Sequence, residues 1–238
     1  MKLDPRNNHL SQFLTVLGHI VWVNPLFTAD ARQTVVELVR SQSLATLVVA
    51  DPLRAAHLPL LVESYDESGI VLIGHIPKAD PLSAAMSEGQ RVLSIFHGPR
   101  AYVSAGWYGA TPGLSTYNFT VAHLSGAAEV MTDSADLRAH LVDLIRVHEE
   151  QSTAPDGTPW QLDDVAHARI DQLLPLVLGF RIRVDEAQAK AKLGQNRTEE
   201  DRTSTAAHLG ESPHSEHRDI AALMEQNEDG HEPRKAGH

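Results

Sequence analysis

Three short apolar segments, 44–50 (LATLVVA), 57–63 (HLPLLVE) and 69–76 (GIVLIGHI), succeed one another with only five or six turn-rich residues in each gap. Neither gap has room for a crossover helix, so these strands cannot be parallel neighbours. They are expected to pair antiparallel, as a meander or a barrel.

The stretch 94–108 (SIFHGPRAYVSAGWY) has the same character. Its two apolar runs flank Gly98-Pro99, which reads as a corner between consecutive strands, with His97, Arg100, Tyr102 and Ser104 gathered around it. Polar groups in a buried sheet need partners, so their concentration here suggests a ligand edge or a subunit interface. A solvated hairpin accounts for the same residues. Another strand is expected over 120–131, with Gly126 marking a bulge or bend. Phe180, Ile182 and Val184 alternate with Arg181, Arg183 and Asp185, the period-two pattern of a strand with one wet face.

Helices decorate this sheet. Thr28 or Asp30 can cap one that runs to about Arg40, and a short one fits 81–87. The clearest spans 136–149, capped by Asp133 or Ser134, with Leu137, Leu141, Leu144 and Ile145 in one stripe. A further helix is expected over 162–174, after a loop at 152–159. The fold class is therefore mainly β with peripheral helices (α+β). Residues 1–21 read as an extension with a possible helix near 10–16, and 22–186 as the barrel domain. Beyond Glu186 large apolar groups become scarce, so 187–226 reads as a helical and loop segment, with Ile220, Ala221, Leu223 and Met224 on its last helix. The tail 227–238 is expected to be disordered.

Composition removes several function classes. The chain has no cysteine, so disulfides, iron–sulfur clusters, thiolate-ligated haem and a cysteine nucleophile are excluded. A formal charge of −11 and the lack of any Lys/Arg run disfavour direct nucleic-acid binding. No stretch approaches the twenty or so apolar residues of a membrane span, and 13–23 lacks a signal-peptide pattern, which makes a cytoplasmic protein the expectation. Walker, GxGxxG, GxSxG and HExxH motifs are all missing.

Four histidines on or beside the expected strands remain as candidates for chemistry: His57, His75, His97 and His123. Each fits equally a hydrogen-bonded core or rim position. A neutral imidazole in an apolar pocket keeps a lone pair for iron. Lys78 and Arg100, near strand ends, suit a flavin phosphate or a haem propionate, or simply the surface. Tyr102, Trp107, Tyr108, Tyr117 and Phe119 are bunched in a chain only 5% aromatic, which favours stacking on a flat cofactor.

The strings HLPLLVE, GHIPKADP, FHGPRAYVSAGWY, TYNFTVAHLSG and KAKLGQNRTEEDR resemble, in order and spacing, the PaiB-like family of FMN-binding negative transcriptional regulators. Similarity extends from about Trp22 to Met224. The resemblance implies an FMN-binding split β-barrel and a homodimer with its cofactor at the subunit interface. Where family members commonly read S-P-S-W-Y and P-T-W-N-Y, this chain has Ser104-Ala105-Gly106-Trp107-Tyr108 and Ser115-Thr116-Tyr117-Asn118-Phe119. In that altered pocket and its histidine set it is similar to the piperazate synthases, a branch that uses haem b. Their activity would be the closure of a hydroxylated diamino acid, N5-hydroxy-L-ornithine, to L-piperazic acid with loss of water. The resemblance then implies His75, or secondarily His57, as iron ligand, and His123 as a further cofactor contact. Lys78 and Arg100 would meet propionates or the substrate carboxylate, and Tyr102, Tyr108 and Asn118 the hydroxylamine. Lys192, Gln195 and Arg197 match the family's K-L-x-Q-N-R signature and would close the pocket. An FMN-binding regulator or a flavin-dependent oxidoreductase is the alternative.

Overall fold

The structure, a computed structural model, describes residues 21, 23–28, 31–109, 113–152 and 157–229. The helix expected near 10–16 and the tail beyond 229 lie outside these residues. The described chain forms two compact units, one from 32–98 with 122–187, the other from the described residues of 21–31 with 99–121 and 188–229.

Seven strands form one sheet in the order β2-β1-β5-β6-β7-β4-β3. They are β1 (Leu44–Ala50), β2 (Leu53–Pro59), β3 (Leu61–Asp66), β4 (Gly69–Pro77), β5 (Arg91–Val103), β6 (Thr116–Val130) and β7 (Val177–Lys192). The pairs β1–β2, β1–β5, β3–β4 and β4–β7 are antiparallel, as the short gaps required.

Three expectations need correction. The apolar run 57–63 is not one strand, because β2 ends at Pro59 and β3 starts at Leu61. Leu60 between them is fully buried and its N–H donates to the Ser43 carbonyl at 2.9 Å. The turn was hidden because the residue at its centre is itself a core residue. Gly98-Pro99 is not a corner either, since β5 passes straight through it. What changes there is the buried face: Val92, Ser94, Phe96 and Gly98 point inward before it, Ala101 and Val103 after it. The dipeptide shifts the alternation by one residue without ending the strand. Finally, β7 continues past Glu186 to Lys192. Its far half buries only Ala189, and a strand that packs on so small a side chain carries no apolar signal.

In the first unit, α1 (Ala31–Ser41) buries Val35, Val36 and Val39. The short α2 (Leu82–Ser87) sinks Leu82 and Met86. Helix α3 (Ser134–Gln151) packs through Leu137 and Leu141 against Ile73, Met131 and Ile170, the last from α4 (Asp164–Leu173). The Asp133 carboxylate caps α3 by accepting from the Ala135 N–H at 2.7 Å. Asp133→Ala is expected to cost about 1 kcal/mol. Urea denaturation would measure it, and a midpoint equal to that of the unaltered protein would refute the capping role.

In the second unit, α5 (Glu199–Gly210) and α6 (Ser215–Asp229) pack around Leu209, Ile220, Ala221 and Met224, with Ala101 and Leu193 from the strands. Thr198 caps α5 by accepting from the Asp201 N–H at 3.2 Å. Helix α6 takes in residues 227–229, which the sequence pattern had assigned to a disordered tail.

Candidate functional site

Where β7 ends, Gly194 has φ +83°, a left-handed conformation that a side chain would strain, and the chain turns there toward α5. Gln195 braces the turn, accepting from the Leu193 N–H at 2.8 Å and donating to the Ala191 carbonyl at 2.6 Å. This brings the K-L-x-Q-N-R segment over the starts of β6 and α5. A small cavity of about 80 Å³ opens between them.

Three cationic side chains, Lys192, Arg197 and Arg202, line that cavity, together with the hydroxyl-bearing Thr116 and Thr205 and the Asn118 amide. Lys192 Nζ donates to the Tyr117 carbonyl at 2.8 Å and to Thr116 Oγ1. Its pKa lies below the usual lysine value because burial disfavours the charged form, and Lys190 and Arg197 add like-charge repulsion. The Arg197 guanidinium sits 4.3 Å from the centre of the Tyr108 ring, a cation–π contact that fixes both groups. Arg202 Nη1 donates to the Arg197 carbonyl at 2.8 Å. Like charges crowded around so small a space are relieved by an anion, and the donor set matches a phosphate or carboxylate.

Four of the residues singled out in the sequence, Tyr108, Asn118, Lys192 and Arg197, therefore meet at one cavity. In the same unit but not lining it, Tyr102 is half exposed with its ring edge-on to Tyr117 at 5.6 Å. Arg100 is an exposed partner of Glu216 at 3.9 Å.

The histidine candidates all belong to the other unit. His57 is exposed on β2, with Nδ1 3.1 Å from Thr46 Oγ1. Thr46 also stands opposite Ile95, so His57, Thr46, Ile95 and, two residues on, His97 share one face of the sheet. His123 is half-buried on β6 with Nδ1 unpartnered; burial lowers its pKa, and His97 lowers it further. His75 on β4 is half-buried, and its Nδ1 lies 3.2 Å from Nε2 of His140. Burial lowers the pKa of His75, and burial, with a smaller like-charge penalty between the two rings were both protonated, holds His140 down at about 4. Both rings are neutral at physiological pH. Lys78 is engaged at the surface, donating to the Pro175 carbonyl at 2.9 Å.

Sequence reasoning missed His140, Arg202 and Thr205. Nothing local marks them: His140 lies on a helix 65 residues from its partner, and the other two lie on α5, whose weak amphipathic pattern concealed the helix itself.

Residues 21–186 match the family described as "Putative FMN-binding domain". The chain is 27% identical over 207 residues to Protease synthase and sporulation protein PAI 2 of Bacillus subtilis, an alignment that takes in 86% of this chain and 97% of that one. It is 25% identical over 213 residues to an uncharacterized protein of Emericella nidulans, covering 73% and 84% of the two chains. Among solved structures, the FAD and heme binding protein from Mycobacterium smegmatis superposes with a TM-score of 0.51 at 17% identity, over 74% of this chain and 79% of that one. A conserved hypothetical protein of Mycobacterium tuberculosis gives 0.50 at 13% identity, over 72% and 91%. These likenesses show the fold, a mainly antiparallel split barrel with peripheral helices, as the sequence implied.

Proposed function

Because the chain belongs to this family of FMN-binding domains, we propose that it binds FMN, with the phosphate seated among Lys192, Arg197 and Arg202. The observation that carries this reading is the cation-lined cavity. In a chain of formal charge −11, a pocket holding three cations and two hydroxyl groups is a local field of opposite sign. Its volume suits an anionic head group, which leaves the rest of the cofactor to lie outside it. Bound FMN supplies two-electron redox chemistry. Arg197 and Tyr108 hold each other rigid at the cavity wall, and Lys192, anchored by two acceptors, keeps a further N–H for the anion.

A second copy of the chain is expected to cover the outer face of β2, β1 and β5. That face carries Leu44 at 64% and Leu53 at 73% exposure beside His57 and His97.

A second reading takes haem b in place of FMN, and it is favoured by the His75–His140 pair. If His75 Nδ1–H donates to His140 Nε2, the His75 tautomer is fixed and its Nε2 is left for iron. His57 has no comparable support, being exposed and tied only to Thr46. Haem iron would supply Lewis acidity toward the hydroxylamine N–O bond. In the closure of N5-hydroxy-L-ornithine the α-amine attacks the hydroxylated nitrogen, the N–O bond breaks and water leaves.

Absorption spectra of the purified protein, after exposure to FMN and separately to haem, distinguish the two. The flavin reading expects yellow protein that releases FMN on denaturation. The haem reading expects a Soret band that His75→Ala removes. Retention of neither cofactor would overturn both.

A further inference from the structure

The segment 107–109 runs along the first turns of α5, and three contacts hold it there. The Gly109 N–H donates to Asp201 Oδ1 at 2.9 Å. Ser204 Oγ donates to the Trp107 carbonyl at 2.7 Å. The Trp107 ring stacks on the His208 imidazole, with centroids 5.2 Å apart and planes 13° from parallel. Asp201, Ser204 and His208 all belong to α5, while the residue between the held positions, Tyr108, lines the cation-lined cavity and carries the Arg197 guanidinium over its ring. From the other side Gly113 closes on the same pair, for a Cβ there would stand 2.7 Å from the Tyr108 ring and 2.8 Å from Arg197 Nη1.

Asp201 is the unusual member of this arrangement. A helix N-terminus accounts for acidic residues in the first turn, and the exposed Glu199 and Glu200 fit that role. It does not account for a carboxylate at 0% exposure that accepts from an N–H 92 positions earlier, since aspartate is almost never fully buried without fixed partners.

We propose that Asp201 is a positioning residue of the anion cavity: through the Gly109 N–H it locks Tyr108, and through the Tyr108 ring the Arg197 guanidinium, in the orientation that an incoming phosphate meets. The proposal rests on the FMN reading of that cavity. An arginine fixed before the ligand arrives has less side-chain freedom to lose on binding, an advantage of about three- to ten-fold in affinity. The two effects of Asp201 on an anion have opposite signs. Its charge repels the phosphate, so removing the charge alone strengthens FMN binding, whereas removing the hydrogen bond weakens it.

The test is fluorescence titration of the full chain with FMN and with riboflavin, which lacks the phosphate, so that the ratio of the two affinities isolates what the phosphate contributes. In Asp201→Ala the ratio is expected to fall about three- to ten-fold while riboflavin affinity stays the same. In Asp201→Asn, whose amide oxygen still accepts from Gly109, the ratio is expected to be retained or raised. A ratio unchanged in folded Asp201→Ala, both flavins weakened together, or a ratio raised in both variants would overturn the proposal. Ser204→Ala releases the same segment from a part-buried position and is expected to lower the ratio in the same direction. It decides the matter if Asp201→Ala does not fold, an unchanged ratio again overturning the proposal. An unaltered protein that binds FMN no more tightly than riboflavin would instead overturn the cofactor reading, and the proposal with it.

Discussion

Lys192→Met is expected to weaken FMN binding about 30- to 150-fold, the equivalent of about 2–3 kcal/mol for removing one member of a hydrogen-bonded charge cluster. The lysine stands among two other cations and already has a depressed pKa, so it gains most when a phosphate arrives. The pH dependence follows with a definite sign. In the free protein the ammonium form is disfavoured by burial, Lys190 and Arg197, and a bound anion raises the pKa again. The affinity contributed by the ammonium is therefore complete below the lowered free-state pKa, and it fades as pH climbs through the higher pKa of the complex. Lys192→Arg, which stays charged throughout, is expected to retain part of the affinity and lose this alkaline decline. Quenching of flavin fluorescence measures all three proteins. An affinity within three-fold of the original in a folded Lys192→Met variant would remove the phosphate from this cavity.

Gly126→Ala should cost the most stability of any single methyl group added to the sheet. A Cβ at this point of β6 would stand 1.9 Å from the Arg183 carbonyl oxygen, 2.8 Å from its carbon and 3.1 Å from Ile182 Cγ2. Two of these three are backbone atoms of β7, the neighbouring strand, so no rotamer change relieves the clash and the strands must part. A loss of about 3–5 kcal/mol is expected, lowering the melting temperature by roughly 6–20 °C. Gly210→Ala is the control, because nothing lies within 4 Å of the added carbon at the end of α5. Melting of Gly126→Ala within about 2 °C of the unaltered protein would contradict the close approach of the two backbones.

Gly126 also illustrates how far local reading reaches. A glycine inside an apolar strand was read from the sequence as a bulge or bend, yet a close backbone neighbour calls for glycine just as strongly. The neighbour is Arg183, 57 positions later in the chain, a pairing that strand order decides. The Gly98-Pro99 corner failed for a related reason. Turn chemistry was recognised, but whether it ends a strand or merely shifts the buried face depends on what packs against each side. In the candidate site, Lys192, Gln195 and Arg197 were legible because they are neighbours in a compact motif. Arg202 and Thr205 were not, since half of what α5 buries is polar, Asp201 and Thr205 beside Ala206 and Leu209, and so it carries no strong apolar stripe.

The sequence by itself determined the class of the sheet, because turn-separated apolar segments without room for helices can pair only antiparallel, and it determined the amphipathic helix α3 by its spacing. It also excluded every chemistry that needs a cysteine. Only the tertiary structure decided which cations face one another and which histidines share a hydrogen bond. Those outcomes depend on contacts between residues dozens of positions apart, whereas periodicity and capping are short-range properties of the chain.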